Sequence, residues 1–489
     1  MPAAAPDTDR GGLAERAKKA RQARARQARV RRALRRHWIF AGLVVLAAAL
    51  RGVVLVAYQP ALIFPDSVRY LQYAHNFTDG HWSPDALRQS GYSIAIIPAV
   101  LLHALWLIPL AQHLAGLVTA GLVYAVLIRS GARPWLAAVA ALPVLFDPLQ
   151  LVLEQYVLTD IGAMLLIVAA LAVLVWRRDG PRKREAAAAG LLLGAAVTFR
   201  DQDLIMIVPA VLYLLVAVRP RKRLLTRLAA TAGCFLVPVV GYLGWFAAAH
   251  GQWNFTTFDG AFLYGRVADF ASCSGLELPA YERPLCPTQP PAQRNADFYT
   301  WDPASPQWTF TPPAGRSRDA VVRDFSLRIL RHQPLGYAEA VGRDLLYGFS
   351  PVRGAGPEQY SPAYLRFQTS VRPDKAAYAS IAALGYPAPS VEPGPAAFLK
   401  DYGRWIYLPG PVLAAGLVLA LGGLIRRRDP GTLLFTVSAI AILLPPALFA
   451  TFDWRYQLPQ LTLIPVAAVL GSHAIVSRRS ASFQAAPPA

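Results

Sequence analysis

Cysteine is scarce in this chain, at three residues in 489. The eight histidines are scattered, and no Cys/His group has the spacing of zinc ligands, which excludes a zinc-built module. A glycine-rich phosphate loop and a Gly-x-Ser-x-Gly elbow are both missing, so nothing points to a nucleotide-binding domain or a serine hydrolase. Charge is sparse as well: only 16% of the residues are Asp, Glu, Lys or Arg. A soluble chain of this length would lack the polar surface to cover its apolar residues.

What is present is apolar. The chain is 55% hydrophobic with a mean hydropathy of +0.34, and its apolar residues cluster into runs of about 20, the length that crosses a bilayer. The net charge of +20 is placed in a way that argues against nucleic acid. Much of it lies within residues 1–37, and the rest forms short basic knots between apolar runs, as the positive-inside rule requires of cytoplasmic segments. The first tail is too long and too charged for a cleaved signal. It reads as a retained cytoplasmic tail in contact with anionic lipid.

Hydropathy and basic knots together predict an all-α polytopic membrane protein of about ten spans with both termini inside. A basic cytoplasmic tail (1–37) precedes an N-terminal transmembrane catalytic module (38–249). An extracytoplasmic loop or cap (250–403) follows, then C-terminal transmembrane helices (404–476) and a second tail (477–489). Between 91 and 128 only one crossing satisfies the knot at Arg129–Arg133, which makes 91–105 a juxtamembrane or re-entrant segment. The cap is rich in Pro and aromatics and reads as ordered. Residues 320–346 within it have apolar residues at helical spacing. They suit either an amphipathic helix on the membrane surface or a helix of a small globular cap. Cys273 and Cys286 lie in this cap and suit a disulfide if it is outside the cell, or else two free thiols. Cys234 sits in an apolar run and reads as packing.

Polar residues gather at the outer ends of the predicted spans: Asp66 after the first, Glu154 and Asp160, Arg200 with Asp201 and Asp203, and Asp453 with Arg455. Arg51 lies within the first span, near its outer end. Singly, each is well explained as a solvated loop residue, and Tyr70 and Trp454 as interfacial aromatics. As a set at four junctions they suit a cavity. Arginine suits phosphate, and a carboxylate suits deprotonation of an attacking hydroxyl. A lipid-linked sugar phosphate supplies both needs. Asp66 is then the base, and Arg200 and Arg455, with Arg51 more weakly, hold the phosphate. His103 and His113 read as packing, and His81 as loop surface.

The sequence PDSVRYLQYA at 65–74 resembles the first-loop acidic motif of GT-C glycosyltransferases. The branch it is most similar to contains the lipid A aminoarabinose transferase and the protein O-mannosyltransferases. RQSGYSIAIIPA resembles that branch's Arg-x-x-Gly-Tyr segment and brings in Arg88 and Tyr92. LEQYVLTDIGAMLL resembles its second acidic motif, AVTFRDQDLIMIVPA its Arg-bearing span end, and WRYQLPQLTLIP its C-terminal Arg-Tyr element. The resemblance implies a GT-C-like helical bundle and inverting transfer from a polyprenyl-phosphate sugar to an envelope glycan, lipid or protein. Asp66 and Asp160 would be the acids, and Tyr70, Arg88, Tyr92, Glu154, Arg200, Arg455 and Arg51 the substrate contacts. Ser67 stands where many members have a second acid, so a divalent metal held by paired carboxylates is not supported. The alternative reading is a lipid or polysaccharide transporter. Such proteins often show internal repeats and midplane charges, and neither is evident here.

Overall fold

The computed structural model describes residues 8–354, 362–371 and 374–483. Residues 1–7 and 484–489, the outermost parts of the two expected tails, lie outside the described residues. Among the described residues the fold is helical, with two short antiparallel strands, Tyr58–Gln59 and Ser390–Val391.

Among the described residues, five helices are long and apolar enough to cross a membrane: Arg36–Ala57, Leu107–Arg129, Arg221–His250, Gly410–Arg427 and Pro430–Phe449. The other expected crossings are short or interrupted. Pro134–Phe146 and Pro148–Gln155 meet at a 47° bend. Asp147 caps the second of these by accepting from Leu149 N, and Pro148 starts it, because proline suits a first helical turn. The run expected to enter near 204 is split between a tight turn, Asp201–Met206, and the Ile207–Ala217 helix. Each break comes where an acid or proline enters an apolar run.

Small residues draw the helices together, as in membrane bundles. A Cβ on Gly190 would lie 2.1 Å from the Thr231 carbonyl oxygen, and one on Gly423 2.3 Å from Gly471 Cα. A large core follows from these helices. Residues 91–105 form two five-residue helices, Gly91–Ala95 and Ile97–Leu101. A Cβ on Gly91 would come within 2.3 Å of Thr198, so the segment carrying Arg88 is pressed against the Lys183–Phe199 helix.

The region from 250 onward has a second, smaller core of Tyr264, Val267, Tyr299, Val321, Phe325 and Ile329. The single helix expected over 320–346 is two, Arg318–His332 and Pro334–Tyr347. Pro334 has no amide hydrogen to continue the first. Val321, Val322, Phe325 and Ile329 of the first are buried in this core, as in the globular alternative. Cys273 and Cys286 are disulfide-bonded.

Candidate active site

Two loops far apart in sequence are stitched together first. Leu62 N donates to Gln155 O at 3.0 Å and Val157 N to Leu62 O at 3.2 Å. The next residues on each side start helices, Pro65–Thr78 and Asp160–Val175, so Asp66 and Asp160 both fall in first turns. A helix start favours negative charge. Ser67 completes the seat. Its hydroxyl accepts from Phe64 N at 2.9 Å and donates to Val157 O at 2.8 Å. Ser67 is thus fully buried and spent on holding these loops together.

Arg455 joins the two acids. It lies in the turn Trp454–Gln457, whose start is capped by Asp453. Its Nη1 donates to Asp66 Oδ2 at 3.2 Å and its Nη2 to Asp160 Oδ2 at 2.8 Å. Arg200 Nη1 donates to Asp160 Oδ1 at 2.9 Å. Arg88 Nη2 donates to Asp66 Oδ1 at 2.7 Å.

A cavity of about 140 Å³ opens on this network and is lined by Asp66, Tyr70, Arg88, Arg200 and Arg455 among others. Asp160 is fully buried behind the two arginines it pairs with. It is not among the residues that line the cavity. Burial opposes ionisation of Asp66, but Arg88 and Arg455 together hold its carboxyl below the usual range. Asp453 also lines the cavity. Burial outweighs the pull of Arg455 there and raises it to about 6. Asp203, 1% exposed, is raised to about 7 by burial, and both its carboxylate oxygens lack a hydrogen-bond partner among the described residues.

Three predicted substrate contacts are elsewhere. Arg51 and Glu154 form a buried pair at 2.8 Å, 2% and 0% exposed. Arg51 also donates to the carbonyls of Leu145 and Val144, and Glu154 meets His113 Nδ1 at 2.6 Å. Gly116 leaves room for this: a Cβ there would lie 1.8 Å from Glu154 Oε1. The pair ties helices together and does not line the cavity. His113, read as packing, belongs to it. Tyr92 touches Tyr70 edge-on, with ring centroids 5.2 Å apart. Its hydroxyl turns away and donates to Gln112 at 2.9 Å.

The long middle segment supplies residues that the sequence reading did not single out. The Asp259–Ala268 helix brings Phe262 and Arg266 to the cavity, and Ala296–Trp301 brings Trp301. Arg88 lies 5.6 Å from the Phe262 ring centroid and 5.3 Å from that of Trp301. Arg266, 1% exposed, donates from Nη1 to Asp344 at 2.7 Å. Its Nε and Nη2 have no partner among the described residues. No local motif marks them. The only signal was the density of aromatics in that segment.

Residues 101–253 match the family model described as dolichyl-phosphate-mannose-protein mannosyltransferase. The likeness to GT-C glycosyltransferases is borne out. The match contains Asp160 and Arg200 but stops short of Asp66 and Arg455 on either side. No curated protein matches the chain. Among solved structures, the chain is similar to the S. cerevisiae protein O-mannosyltransferase Pmt1-Pmt2 complex bound to the sugar donor. Identity is 18% and the TM-score 0.36, over 50% of this chain and 37% of that one. ArnT from Cupriavidus metallidurans bound to undecaprenyl phosphate aligns at 17% identity and a TM-score of 0.37, over 91% of this chain and 81% of that one. The Archaeoglobus fulgidus oligosaccharyltransferase aligns at 12% identity and 0.43, over 91% and 52%.

Proposed function

We propose that the chain is a multi-pass membrane glycosyltransferase. It moves a sugar from a polyprenyl-phosphate donor to an acceptor hydroxyl of the cell envelope, on the extracytoplasmic side. The observation that carries this reading is the joining of Asp66 and Asp160 through Arg455 at the wall of one cavity.

In the proposed step the acceptor oxygen attacks the anomeric carbon from the face opposite the phosphate. The new C–O bond forms as the bond to the phosphate oxygen breaks. Asp66 takes the hydroxyl proton, and the polyprenyl phosphate leaves as an anion. The configuration inverts. Arginines are suited to the leaving phosphate. Among the described residues, Arg266 and Arg88 have nitrogens without a partner, whereas Arg200 and Arg455 are already engaged with Asp160. Those two hold the scaffold of charge, and Arg88 and Arg266 are the better placed to take up new phosphate oxygens. A phosphate that draws Arg88 from Asp66 also strengthens the base, because a carboxylate gains basicity when a cationic donor leaves it.

Membranes containing the chain, supplied with polyprenyl-phosphate [14C]mannose and, in parallel, the arabinose analogue, test the activity. Label carried into an envelope fraction in inverted linkage supports it. Label that crosses the membrane still attached to its lipid indicates transport and contradicts it.

A further inference from the structure

Residues 81–90 carry Arg88 yet form no helix or strand. Such a backbone needs its polar groups satisfied from outside. The Trp82 carbonyl accepts from Trp245 Nε1 at 3.1 Å, and the Pro84 carbonyl from His250 Nε2 at 2.9 Å. The Ala86 carbonyl accepts from Thr257 N at 2.8 Å and from Thr256 Oγ1 at 3.0 Å. These bonds tie the loop to the Arg221–His250 helix and the chain just beyond it. None of them reaches the helix that carries Asp66.

Asp85, 2% exposed, makes that connection. Its Oδ2 accepts from Arg69 Nε at 2.8 Å, and its Oδ1 accepts from Arg69 Nη2. The same Oδ1 accepts from Leu87 N at 2.9 Å, and Asp85 N donates to Ser90 Oγ at 2.9 Å. One residue thus folds the loop around itself and grips the Pro65–Thr78 helix. Arg69 stands one turn after Asp66 on that helix, with its guanidinium 5.8 Å from the Tyr73 ring centroid. Arg88, three residues after Asp85, closes the circuit on Asp66 at 2.7 Å. The pattern of charge is reciprocal. Helix and loop each carry an acid and then an arginine three residues later: Asp66 and Arg69, Asp85 and Arg88. Run against each other, they make two opposite-charge pairs. Matched the other way, they would set acid on acid and arginine on arginine.

We propose that Asp85 is a positioning residue: through Arg69 it fixes the register of the loop against the helix, and so sets Arg88 over Asp66 at the cavity. A fork-to-fork arginine–carboxylate pair supplies geometry as well as attraction. Arg88 is close enough to Arg69 for their charges to oppose one another. Asp85 left without Arg69 is therefore a rival to Asp66 for the Arg88 guanidinium. The consequence for a lipid phosphate rests on the reading of Arg88 given above.

The test uses the full chain in phosphatidylcholine nanodiscs, titrated with farnesyl phosphate and with farnesol, which lacks the phosphate. Arg69→Gln is expected to weaken farnesyl phosphate by about tenfold and farnesol by less than about twofold, because a displaced Arg88 gives up a charged hydrogen bond. Arg69→Lys keeps the charge without the fork and should fall between. In an Arg88→Gln background, adding Arg69→Gln should cost less than about twofold, since residues that act through one another are not additive. If Arg69→Gln melts low, Arg69→Gln with Asp85→Asn removes the unpaired buried acid and is read in the same way. Unchanged affinity in both variants overturns the proposal. So does an equal added loss with and without Arg88, which is the mark of a pair that serves folding alone. Weakened binding in Arg88→Gln but not in Arg69→Gln sinks this inference and spares the proposed role of Arg88. Unchanged binding in Arg88→Gln removes that role, and the positioning of Arg88 for phosphate falls with it. Binding that follows the expected pattern in a protein without sugar transfer supports the positioning role while removing the transfer reading.

Discussion

Asp66 and Arg455 stand 389 residues apart in sequence and meet at 3.2 Å. Neither is reached by the family match, yet each is held by its own capped turn, Asp66 by the Phe64–Ser67 hydrogen bond and Arg455 by Asp453. Asp66 has a second cation in Arg88. A carboxylate between two guanidiniums is ionised at neutral pH, and it is a weak base until one of them is drawn away.

Arg266 should act on donor binding. Arg266→Gln is expected to raise the KM for the polyprenyl-phosphate sugar by about tenfold, in line with loss of a charged hydrogen bond. The KM for the acceptor should stay close to wild type. Initial rates at varied donor check this, and an unchanged donor KM contradicts the role.

The aromatic clamp on Arg88 is testable separately. Cation–π contacts of this kind are worth about 0.5–2 kcal/mol. Trp301→Ala is therefore expected to lower transfer by roughly two- to thirty-fold, with Trp301→Phe retaining most activity. Equal losses in the two variants would mean that the ring's charge interaction with Arg88 is not what matters.

Arg51 and Glu154 should matter to folding and little to substrate. Removing one partner of a buried ion pair costs roughly 3–5 kcal/mol. Glu154→Ala is expected to lower the melting temperature in detergent sharply, while donor KM per folded molecule stays unchanged. A variant that melts like wild type but loses donor affinity would return the pair to the substrate site.

Stability should depend on pH through Asp203. Its folded-state value of about 7 lies above the ordinary 3.8, so ionisation costs the fold, and stability is lost as pH rises from about 4 through 7. Asp453, at about 6, acts with the same sign. Asp66 is lowered and acts oppositely: its contribution is present at neutral pH and is lost only on acidification below the ordinary range. Asp203→Asn should therefore gain melting temperature over wild type between pH 5 and 8. Parallel curves for the two proteins contradict this.

Much of the site was readable before the fold because acids and arginines stand out against apolar spans. Asp66, Asp160, Arg200 and Arg455 were found that way, and the structure draws them together. Arg51 and Glu154 carry the same signature for another reason. A buried pair that ties helices and a pair that meets substrate look alike in one dimension, and only packing separates them. Arg266, Phe262 and Trp301 were missed for the converse reason: an arginine or an aromatic in a polar loop is unremarkable. The expected ten spans correspond to five helices long and apolar enough to cross among the described residues, because hydropathy averages over breaks such as those at Pro148 and Asp201–Met206. The break at Pro334 was equally open to view, but apolar spacing continues across it.

The most direct measurement is sugar transfer by Asp66→Asn in membranes supplied with labelled polyprenyl-phosphate sugar. Asparagine keeps the shape and removes the proton acceptor. Transfer should fall by roughly 10²- to 10⁴-fold, the usual contribution of a general base, while lipid-linked donor still binds. Transfer at the wild-type rate would show that some other group takes the proton and that the junction of Asp66 with Arg455 serves structure alone.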